Sequence, residues 1–451
     1  MSEGSLEAPI RHPIRWNEPE FLDPDAIDAE LRRVFDICHG CRRCFNLCDS
    51  FPRLFDLIDD SETMELDSVD SADFKSVVDA CTLCDMCFMT KCPYVPPHEF
   101  NVDFPHLMLR YRAMEAAGGE VGFAEKELAK TDRNGKLAKP MAGLANWATE
   151  TSNRLTRPMM EHILKVHRDA VLPEYQGRTL LDEVRAAPLQ VQAEASPPAA
   201  GKKAVIYATC FGNYNNPGIG LALRGILARN GVETEVVHPH CCGMPLLEKG
   251  DIAGVAKNAK TVTAALLPYV DKGYEVIALI PSCALMLKFE WPLILPDDAD
   301  VKRLSEHVSD PSEYIVALAK AHGLADGMKP LDGGVSMHLA CHARAQNMGA
   351  KSVEMLKLIP DAEVKPIERC SGHGGQWGVM KETFETGLKV GRPVARTALK
   401  NDLPYVASEC PLAGDHILQG MERIDADKTP ARAWHPLELL AHAYGIETGK
   451  E

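Results

Sequence analysis

CHGCRRCFNLC, residues 38–48, and CTLCDMCFMTKC, residues 81–92, are the two stretches that decide how this chain is organised. In each stretch three cysteines are separated by two residues, and a fourth cysteine follows after three or four more. Three thiolates at this spacing can bind three corners of an iron–sulfur cube from one short loop, so the fourth corner needs a cysteine from further away. The pattern therefore predicts two [4Fe–4S] clusters.

The fourth cysteine of each run is predicted to bind the cluster of the other run, as in two-cluster ferredoxins. One cluster would then be held by Cys38, Cys41, Cys44 and Cys92, and the other by Cys81, Cys84, Cys87 and Cys48. Zinc is the competing interpretation, but a zinc site uses two pairs of cysteines and gives the third closely spaced cysteine no role. We expect residues 1–115 to form a helical, ferredoxin-like domain that holds both clusters.

The composition disfavours several other classes of protein. Lys and Arg number 49 against 64 Asp and Glu in 451 residues, and the net charge of −15 disfavours a nucleic-acid partner. The N-terminus lacks the apolar segment of a secretory signal, and no run approaches the roughly 20 apolar residues that span a bilayer. Fifteen cysteines in such a chain indicate metal or redox chemistry rather than disulfides. We expect a cytoplasmic protein or one that sits on a membrane face.

Residues 186–203 are rich in alanine and proline and are predicted to be a linker. After the linker, six β-rich runs alternate with helix-length segments, at 204–209, 235–239, 275–281, 335–340, 364–369 and 405–409. This alternation predicts βαβ units with parallel strands, and therefore an α+β multidomain fold for the whole chain.

Each of the six runs leads into a cysteine, at intervals of 31 and 42 residues and then of 29 and 40. The repeat indicates a duplicated strand–cysteine–helix unit, so we predict two α/β lobes at 204–328 and 329–451. Ligands in open α/β sheets gather at the carboxyl ends of the strands. We therefore expect six cysteines to lie at these ends: Cys210, Cys241, Cys283, Cys341, Cys370 and Cys410.

The cysteine-free extension at 116–185 reads as helical. Its apolar residues recur mostly at spacings of three or four, with Thr151 filling the gap: Met141, Leu144, Trp147, Leu155, Met159 and Ile163. Two interpretations stay open. The stripe packs on its own domain, or it lies in a membrane interface where anionic headgroups meet Arg154, Arg157, Lys165 and Arg168.

Two further motifs carry a family resemblance. HPHCCGMPLLEKGD, residues 238–251, contains the adjacent Cys241 and Cys242, and HLACHARAQNMG covers residues 338–349. Together with the eight N-terminal cysteines, these segments resemble the CCG-domain iron–sulfur proteins, a family that includes heterodisulfide reductases and the C subunit of anaerobic glycerol-3-phosphate dehydrogenase. The resemblance covers nearly the whole chain from Cys38 onward.

The resemblance implies a further iron–sulfur centre in the C-terminal half. By position its ligands would come from Cys210, Cys241, Cys242 and Cys283 in the first lobe and from Cys341, Cys370 and Cys410 in the second. The sequence departs from the full family pattern at Ser371, Met286 and Ala413, each of which stands where a cysteine is expected. We expect one centre near the lobe interface, held mainly by the first lobe. Buried structural thiols are the alternative.

The same resemblance implies an electron-transfer subunit of anaerobic respiration, peripheral on the cytoplasmic face of the inner membrane. It would relay electrons between a flavoprotein dehydrogenase and a quinone or another acceptor. The alternative is a catalytic subunit that reduces a disulfide at the CCG centre. Four histidines flank these cysteines and are expected to hydrogen-bond a sulfur or carbonyl more often than to bind iron: His240, His342, His373 and His416.

Overall fold

The computed structural model describes residues 4–5, 7–186 and 196–448, and its N-terminal part is helical. The helices there are α1 (Pro24–Cys41), α2 (Ser50–Asp59), α3 (Phe74–Ala80), α4 (Met86–Thr90) and α5 (Phe104–Gly118). Their buried faces meet in an aromatic core, where ring centroids of Phe35 and Phe74 lie 5.1 Å apart and those of Phe51 and Phe104 lie 4.7 Å apart. These contacts hold the helices around the loops that carry the two cysteine runs.

Helix α1 ends inside the first cysteine run. It begins at Pro24, and the Asp23 carboxylate caps it by accepting hydrogen bonds from two backbone N–H groups of the first turn. It ends at Cys41, where Arg42 turns the chain with a left-handed φ of 52°. The last turn therefore carries Cys38 and Cys41, and the rest of the run follows as a loop.

The extension contains α6 (Phe123–Leu128), α7 (Thr131–Ala138), α8 (Ala142–Thr149), α9 (Thr156–Ile163) and α10 (Leu180–Ala186). The apolar stripe seen in the sequence falls on two helices, α8 and α9, rather than on one continuous helix. The backbone becomes extended at Glu150, and the Asn153 side chain then accepts from the backbone N–H groups of Leu155 and Thr156. Asparagine in this role competes with helix continuation, which explains the break.

Two parallel sheets form the C-terminal half. The first has the strand order β2-β1-β3-β4, with β1 (Lys203–Tyr207), β2 (Glu233–Val237), β3 (Glu275–Ala278) and β4 (Val308–Ser309). The second has the order β6-β5-β7, with β5 (Val335–His338), β6 (Val364–Ile367) and β7 (Tyr405–Ser408). Each predicted run overlaps a strand, although β1 and β2 begin one and two residues before their runs. The two-residue β4 is too short to leave a readable alternation of side chains.

Helices connect and cover these strands. Those of the first sheet are α11 (Cys210–Tyr214), α12 (Pro217–Arg229), α13 (Met244–Leu247), α14 (Ile252–Val270), α15 (Pro281–Leu285), α16 (Trp291–Ile294), α17 (Ala299–Ser305) and α18 (Pro311–His322). Those of the second are α19 (Cys341–Arg344), α20 (Lys351–Leu356), α21 (Phe384–Asn401), α22 (Pro411–Glu422) and α23 (Pro436–Ala443).

Helices of one sheet pack on helices of the other. Helix α23, at the end of the described chain, packs on α12 of the first sheet, and α18 packs on α20 of the second. Leu437 and Leu440 of α23 are fully buried in the same apolar cluster as Ile219 and Leu223 of α12. The two sheets therefore share one apolar core.

The predicted linker at 186–203 is described only in part, because residues 187–195 lie outside the described residues. The described end is packed against the first sheet. Ala199 is buried there, and its backbone N–H donates to the carbonyl oxygen of Asn230. Strand β1 therefore begins directly after a packed turn.

Asp310, the cap of α18, is expected to make stability pH-dependent. It is buried, and burial raises its pKa to about 6. The folded chain therefore holds a proton between about pH 4 and pH 6 that the unfolded chain has lost, so the free energy of unfolding falls as pH rises through this window. Asp310→Asn keeps the cap. Its free energy of unfolding is expected to exceed that of the parent protein by up to about 3 kcal/mol above pH 6.

The measurement is urea denaturation at pH 4.5, 5.5 and 7 on both proteins. Asp298→Asn is the matched control, because Asp298 caps α17 with the same residue type in a less buried place. Asp298→Asn is expected to leave the fall in the free energy of unfolding between pH 4.5 and pH 7 unchanged. If Asp310→Asn also leaves that fall unchanged, Asp310 is not its cause.

Candidate iron–sulfur centres

The first cysteine run and Cys92 form one group of thiols. Cys38 and Cys41 lie on the last turn of α1, Cys44 follows on the loop, and Cys92 comes from the end of the second run. Burial raises the pKa of the Cys38 thiol well above its usual value, and the thiols of Cys92, Cys44 and Cys41 raise it further. Cys92 therefore lies beside the run to which the sequence analysis assigned it.

A void of about 310 Å³, partly open to solvent, adjoins these four thiols. Most of its other walls are apolar, among them Phe51, Phe55 and Val102. Apolar walls limit the access of water, and four thiols offer one bond to each iron of a cube. The residues present therefore fit a [4Fe–4S] cluster.

The second cysteine run and Cys48 form a second group of thiols. Burial raises the pKa of the Cys48 thiol, and the thiols of Cys84 and Cys81 add to the rise. The pKa of Cys87 is raised by burial and then by four thiols, of which Cys44 belongs to the first group. The two groups are therefore adjacent to each other.

Each group contains thiols that need nearby positive charge before they can act as thiolates. Burial raises the pKa of Cys44 to about 12 and that of Cys81 to about 11, which keeps these thiols protonated at neutral pH in the absence of a metal. Across residues 4–5, 7–186 and 196–448, no three His, Cys, Asp or Glu side chains converge on one ion.

Four cysteines of the first sheet form a third group where its strands end. Cys242 Sγ lies 3.0 Å from Cys283 Sγ, and Cys210 Sγ lies 3.9 Å from Cys241 Sγ. Hydrogen bonds with the thiols of Cys210 and Cys242 lower the pKa of Cys241 well below its usual value and raise the pKa of each partner. Cys241 is therefore the member of this group that most readily becomes a thiolate.

Helix α7 of the extension covers this third group. Thr131 Oγ1 donates to Cys241 Sγ at 3.4 Å, and the backbone N–H of Cys241 donates to Asp132 Oδ2 at 2.6 Å. The other Asp132 oxygen lies 2.6 Å from His238 Nε2. The sequence analysis gave these residues no role, because no local pattern marks a polar pair as the neighbour of a cysteine 110 residues away.

The second sheet brings Cys341 and Cys370 to the second group. Hydrogen bonds with Cys370 and with Cys84 raise the pKa of Cys341, and the bond with Cys341 lowers the pKa of Cys84. The pKa of Cys410 is raised to about 11 chiefly by burial, and no thiol is among the groups that affect it most. The sequence analysis expected these cysteines near the lobe interface and did not anticipate the contact with Cys84.

The flanking histidines take two kinds of position. His240 Nδ1 lies 2.9 Å from the backbone nitrogen of the next residue, and His342 Nε2 lies 3.3 Å from a carbonyl oxygen of the second cysteine run. His373 and His416 are buried with ring centroids 5.8 Å apart, and burial lowers their pKa values to about 3 and about 4. The buried pair is therefore neutral at physiological pH.

A buried ion-pair network ties the second cysteine run to the rest of the molecule. The Arg11 guanidinium donates to Asp85 at 2.8 Å, to Asp103 at 2.9 Å and to Glu290 at 3.1 Å. Asp85 lies inside the run, Glu290 lies just before α16, and His106 Nε2 lies 3.1 Å from Glu290. No sequence signal marked this network, because its members are scattered between positions 11 and 290.

Comparisons with known proteins identify a domain in this chain and several relatives. The model of the CCG cysteine-rich domain matches residues 204–288. The C subunit of anaerobic glycerol-3-phosphate dehydrogenase from Escherichia coli (strain K12) is 28% identical over 319 residues, which cover 70% of this chain and 76% of that protein. The B subunit of fumarate reductase (CoM/CoB) from Methanothermobacter marburgensis is 27% identical over 250 residues, or 54% of this chain and 47% of that protein.

A third relative is the D subunit of dihydromethanophenazine:CoB–CoM heterodisulfide reductase from Methanosarcina acetivorans. It is 26% identical over 261 residues, which cover 55% of this chain and 60% of that protein. All three relatives are named as subunits of dehydrogenases or reductases. A cysteine-rich domain and the name of a dehydrogenase or reductase subunit are therefore what the comparisons report.

Proposed function

We propose that this chain, which contains a CCG cysteine-rich domain and is similar to the C subunit of anaerobic glycerol-3-phosphate dehydrogenase and to a heterodisulfide reductase subunit, is the electron-transfer subunit of an oxidoreductase complex. It carries electrons between a flavoprotein dehydrogenase of the glycerol-3-phosphate type and a quinone or another acceptor. It works in the cytoplasm, attached to the cytoplasmic face of the inner membrane. The observation that carries the proposal is the succession of thiol groups, in which the first group borders the second and the second borders Cys341 and Cys370 of the second sheet.

The proposed cofactors follow from the groups of thiols. One [4Fe–4S] cluster is bound by Cys38, Cys41, Cys44 and Cys92, and the other by Cys81, Cys84, Cys87 and Cys48. A further iron–sulfur centre is bound in the CCG region by residues drawn from Cys210, Cys241, Cys242, Cys283, Cys341, Cys370 and Cys410. These centres supply one-electron chemistry, and the protein supplies their spacing, burial and hydrogen bonds.

Two contacts between groups support a path through the chain. Cys44 and Cys87 join the first group to the second, and Cys84 and Cys341 join the second group to the second sheet. Helices α15 and α19 then pack together, and Gln346 Nε2 donates to the carbonyl oxygen of Pro281 at 3.3 Å. That packing brings the second sheet next to the helix that carries Cys283.

The proposal is tested by moving electrons through the purified holoprotein. The chain is reduced anaerobically, freed of reductant and mixed with a water-soluble quinone analogue. We expect the visible absorption of the oxidised centres to return, with two electrons and two protons used for each quinone reduced to quinol. Glycerol 3-phosphate alone is expected to leave the oxidised chain unchanged. A purified chain that oxidises a small substrate with its own bound flavin would contradict the proposal.

The third group of thiols favours a second function, reduction of a disulfide. A readily formed thiolate at Cys241 and the 3.0 Å approach of Cys242 and Cys283 suit an attack on sulfur. The reaction takes two electrons and two protons to give two thiols from one disulfide. Mixing the reduced chain with a small disulfide in place of the quinone distinguishes disulfide reduction from electron transfer to a quinone. Oxidation by the disulfide that is lost in Cys242→Ser, with the quinone inert, would establish the second function instead.

A further inference from the structure

Helix α9 is amphipathic in the reverse sense to an ordinary surface helix. Leu155, Met159 and Ile163 follow one another at intervals of four and are 80%, 57% and 52% exposed. Arg157 and Glu161, on the opposite face, are 1% and 6% exposed. A surface helix normally turns its apolar face to the core. Helix α9 instead turns that face to the solvent.

Arg157 explains this orientation. Its guanidinium donates to the backbone carbonyl oxygens of His167, Arg168 and Ala170 at distances of 2.6 to 2.8 Å. Glu161 forms an ion pair with Arg168 in the same segment. Arg157 is thus buried and does not face lipid headgroups, in contrast to one interpretation of the sequence. Rotating α9 to hide its apolar face would leave this guanidinium without acceptors.

The neighbouring helices extend the exposed apolar face. Helix α8 packs beside α9 and beside the turn that precedes it, and that turn packs on α7. We call this set the apolar surface; each member is more than half exposed, and they are Leu137, Met141, Leu144, Trp147, Leu155, Met159 and Ile163. Single exposed apolar residues are common, but a set of this size marks a surface that binds something.

The segment that carries the apolar surface is basic although the chain as a whole is acidic. Residues 130–168 contain eight Lys and Arg against three Asp and Glu, whereas the remainder of the chain contains 41 against 61. Two of the three acidic residues, Asp132 and Glu161, are buried. Lys136, Arg154 and Lys165 are exposed and form no ion pair within the part of the chain that the structure describes.

We propose that the apolar surface docks on an anionic phospholipid membrane. Trp147 and the aliphatic side chains would enter the interface, while Lys136, Arg154 and Lys165 contact the headgroups. A second copy of the chain fits less well, because a symmetric contact would bring these unpaired basic residues together. This inference deepens the membrane attachment in the proposed function and rests on it.

The segment after α9 connects the apolar surface to the redox region. Residues 171–174 line a cavity between the two sheets, together with Phe211 and Pro411, which directly follow Cys210 and Cys410. Ile163 and Val171 are eight residues apart, which limits their separation to about 28 Å. Docking at Ile163 therefore keeps Val171, at the wall of this cavity, no more than about 28 Å from the membrane contact. None of the helices in the described residues is both long and apolar enough to cross a bilayer.

The test is co-sedimentation of the holoprotein with vesicles of pure phosphatidylcholine and of phosphatidylcholine with phosphatidylglycerol. Binding to the anionic vesicles is expected to be at least about tenfold stronger than to the neutral ones, because each basic residue near an anionic surface adds roughly 1 kcal/mol. Leu155→Glu with Met159→Glu is expected to weaken binding at least about tenfold. Met64→Glu is the matched control, since Met64 is similarly exposed but lies outside the apolar surface, and it should bind like the parent chain.

Iron content and oxidation by the soluble quinone analogue are measured on the same proteins. Loss of vesicle binding in the double variant, with both other readouts intact, supports the docking inference. Equal binding by the double variant, or no binding by the parent chain, overturns it and leaves the electron-transfer proposal standing. If the parent chain dimerises in the absence of vesicles and the double variant does not, a second copy of the chain covers the apolar surface. Parent protein that binds vesicles but lacks iron would overturn the proposed function instead.

Discussion

Cys92→Ser is expected to remove about four iron atoms per chain, because a [4Fe–4S] cube that loses one of its four thiolates is poorly held. The cluster lost is the one beside the first cysteine run, although Cys92 is 54 to 48 residues later in the sequence than its partners Cys38 to Cys44. The Cys92 thiol lies beside Cys38, which is the structural basis of this expectation. Iron and acid-labile sulfide are measured on protein purified without oxygen.

Two double variants separate crossed binding from binding within each run. Cys92→Ser with Cys38→Ser is expected to retain about four irons in the N-terminal part, because both changes strike one cluster. Cys92→Ser with Cys81→Ser is expected to retain almost none there, because the changes strike both clusters. The reverse order of iron contents would show that each run holds its own cluster. Iron in the CCG region is a constant addition to all of these proteins.

Arg11→Met is expected to lower the free energy of unfolding by about 3–5 kcal/mol, the cost of removing one partner from a buried ion pair. Arg11 is 12% exposed and faces three carboxylates, of which Glu290 is 3% exposed. Burial opposes ionisation of Asp103, but Arg11 and His106 outweigh burial and hold its pKa well below the usual range. After removal of Arg11, His106 still lies close to Asp103 and Glu290, whereas Asp85 loses the guanidinium with which it pairs.

Arg15→Met is the matched control for this prediction. Arg15 pairs with Glu18 at 3.5 Å, and both side chains are more than half exposed. A surface pair of this kind contributes roughly 0–1 kcal/mol, so little change is expected. Urea denaturation under anaerobic conditions measures both variants. Equal stability of Arg11→Met and Arg15→Met would show that the buried network does not hold the second cysteine run to the first sheet.

The spacing of the cysteines predicted more of this molecule than any other feature. Ligand spacing is local, so the composition of the two N-terminal groups was readable from residues 38–48 and 81–92. The six strands were readable because each combines a β-rich run with a following cysteine. The contact between Cys84 and Cys341 was not, because it depends on how the second sheet packs against a loop more than 250 residues earlier in the sequence.

The apolar periodicity of the extension predicted a helical face but not its orientation. Spacings of three and four identify an apolar face but do not say whether the face points inward or outward. In α9 the direction is decided by Arg157, whose acceptors are backbone carbonyl oxygens of a later segment. Carbonyl groups occur at every residue, so the sequence holds no sign of which ones an arginine will bind. The packing of α23 on α12 and of α18 on α20 was not predictable for a similar reason, because each depends on which distant surfaces meet in the fold.

Anaerobic electron paramagnetic resonance during a reductive titration of the intact protein shows whether two adjacent sets of four thiols each hold a redox-active cube. We expect about eight irons or more with matching labile sulfide, and two reducible N-terminal centres whose signals broaden each other when both are reduced. Zinc in place of iron, or a protein with no paramagnetic signal at any stage of the titration, would contradict this expectation.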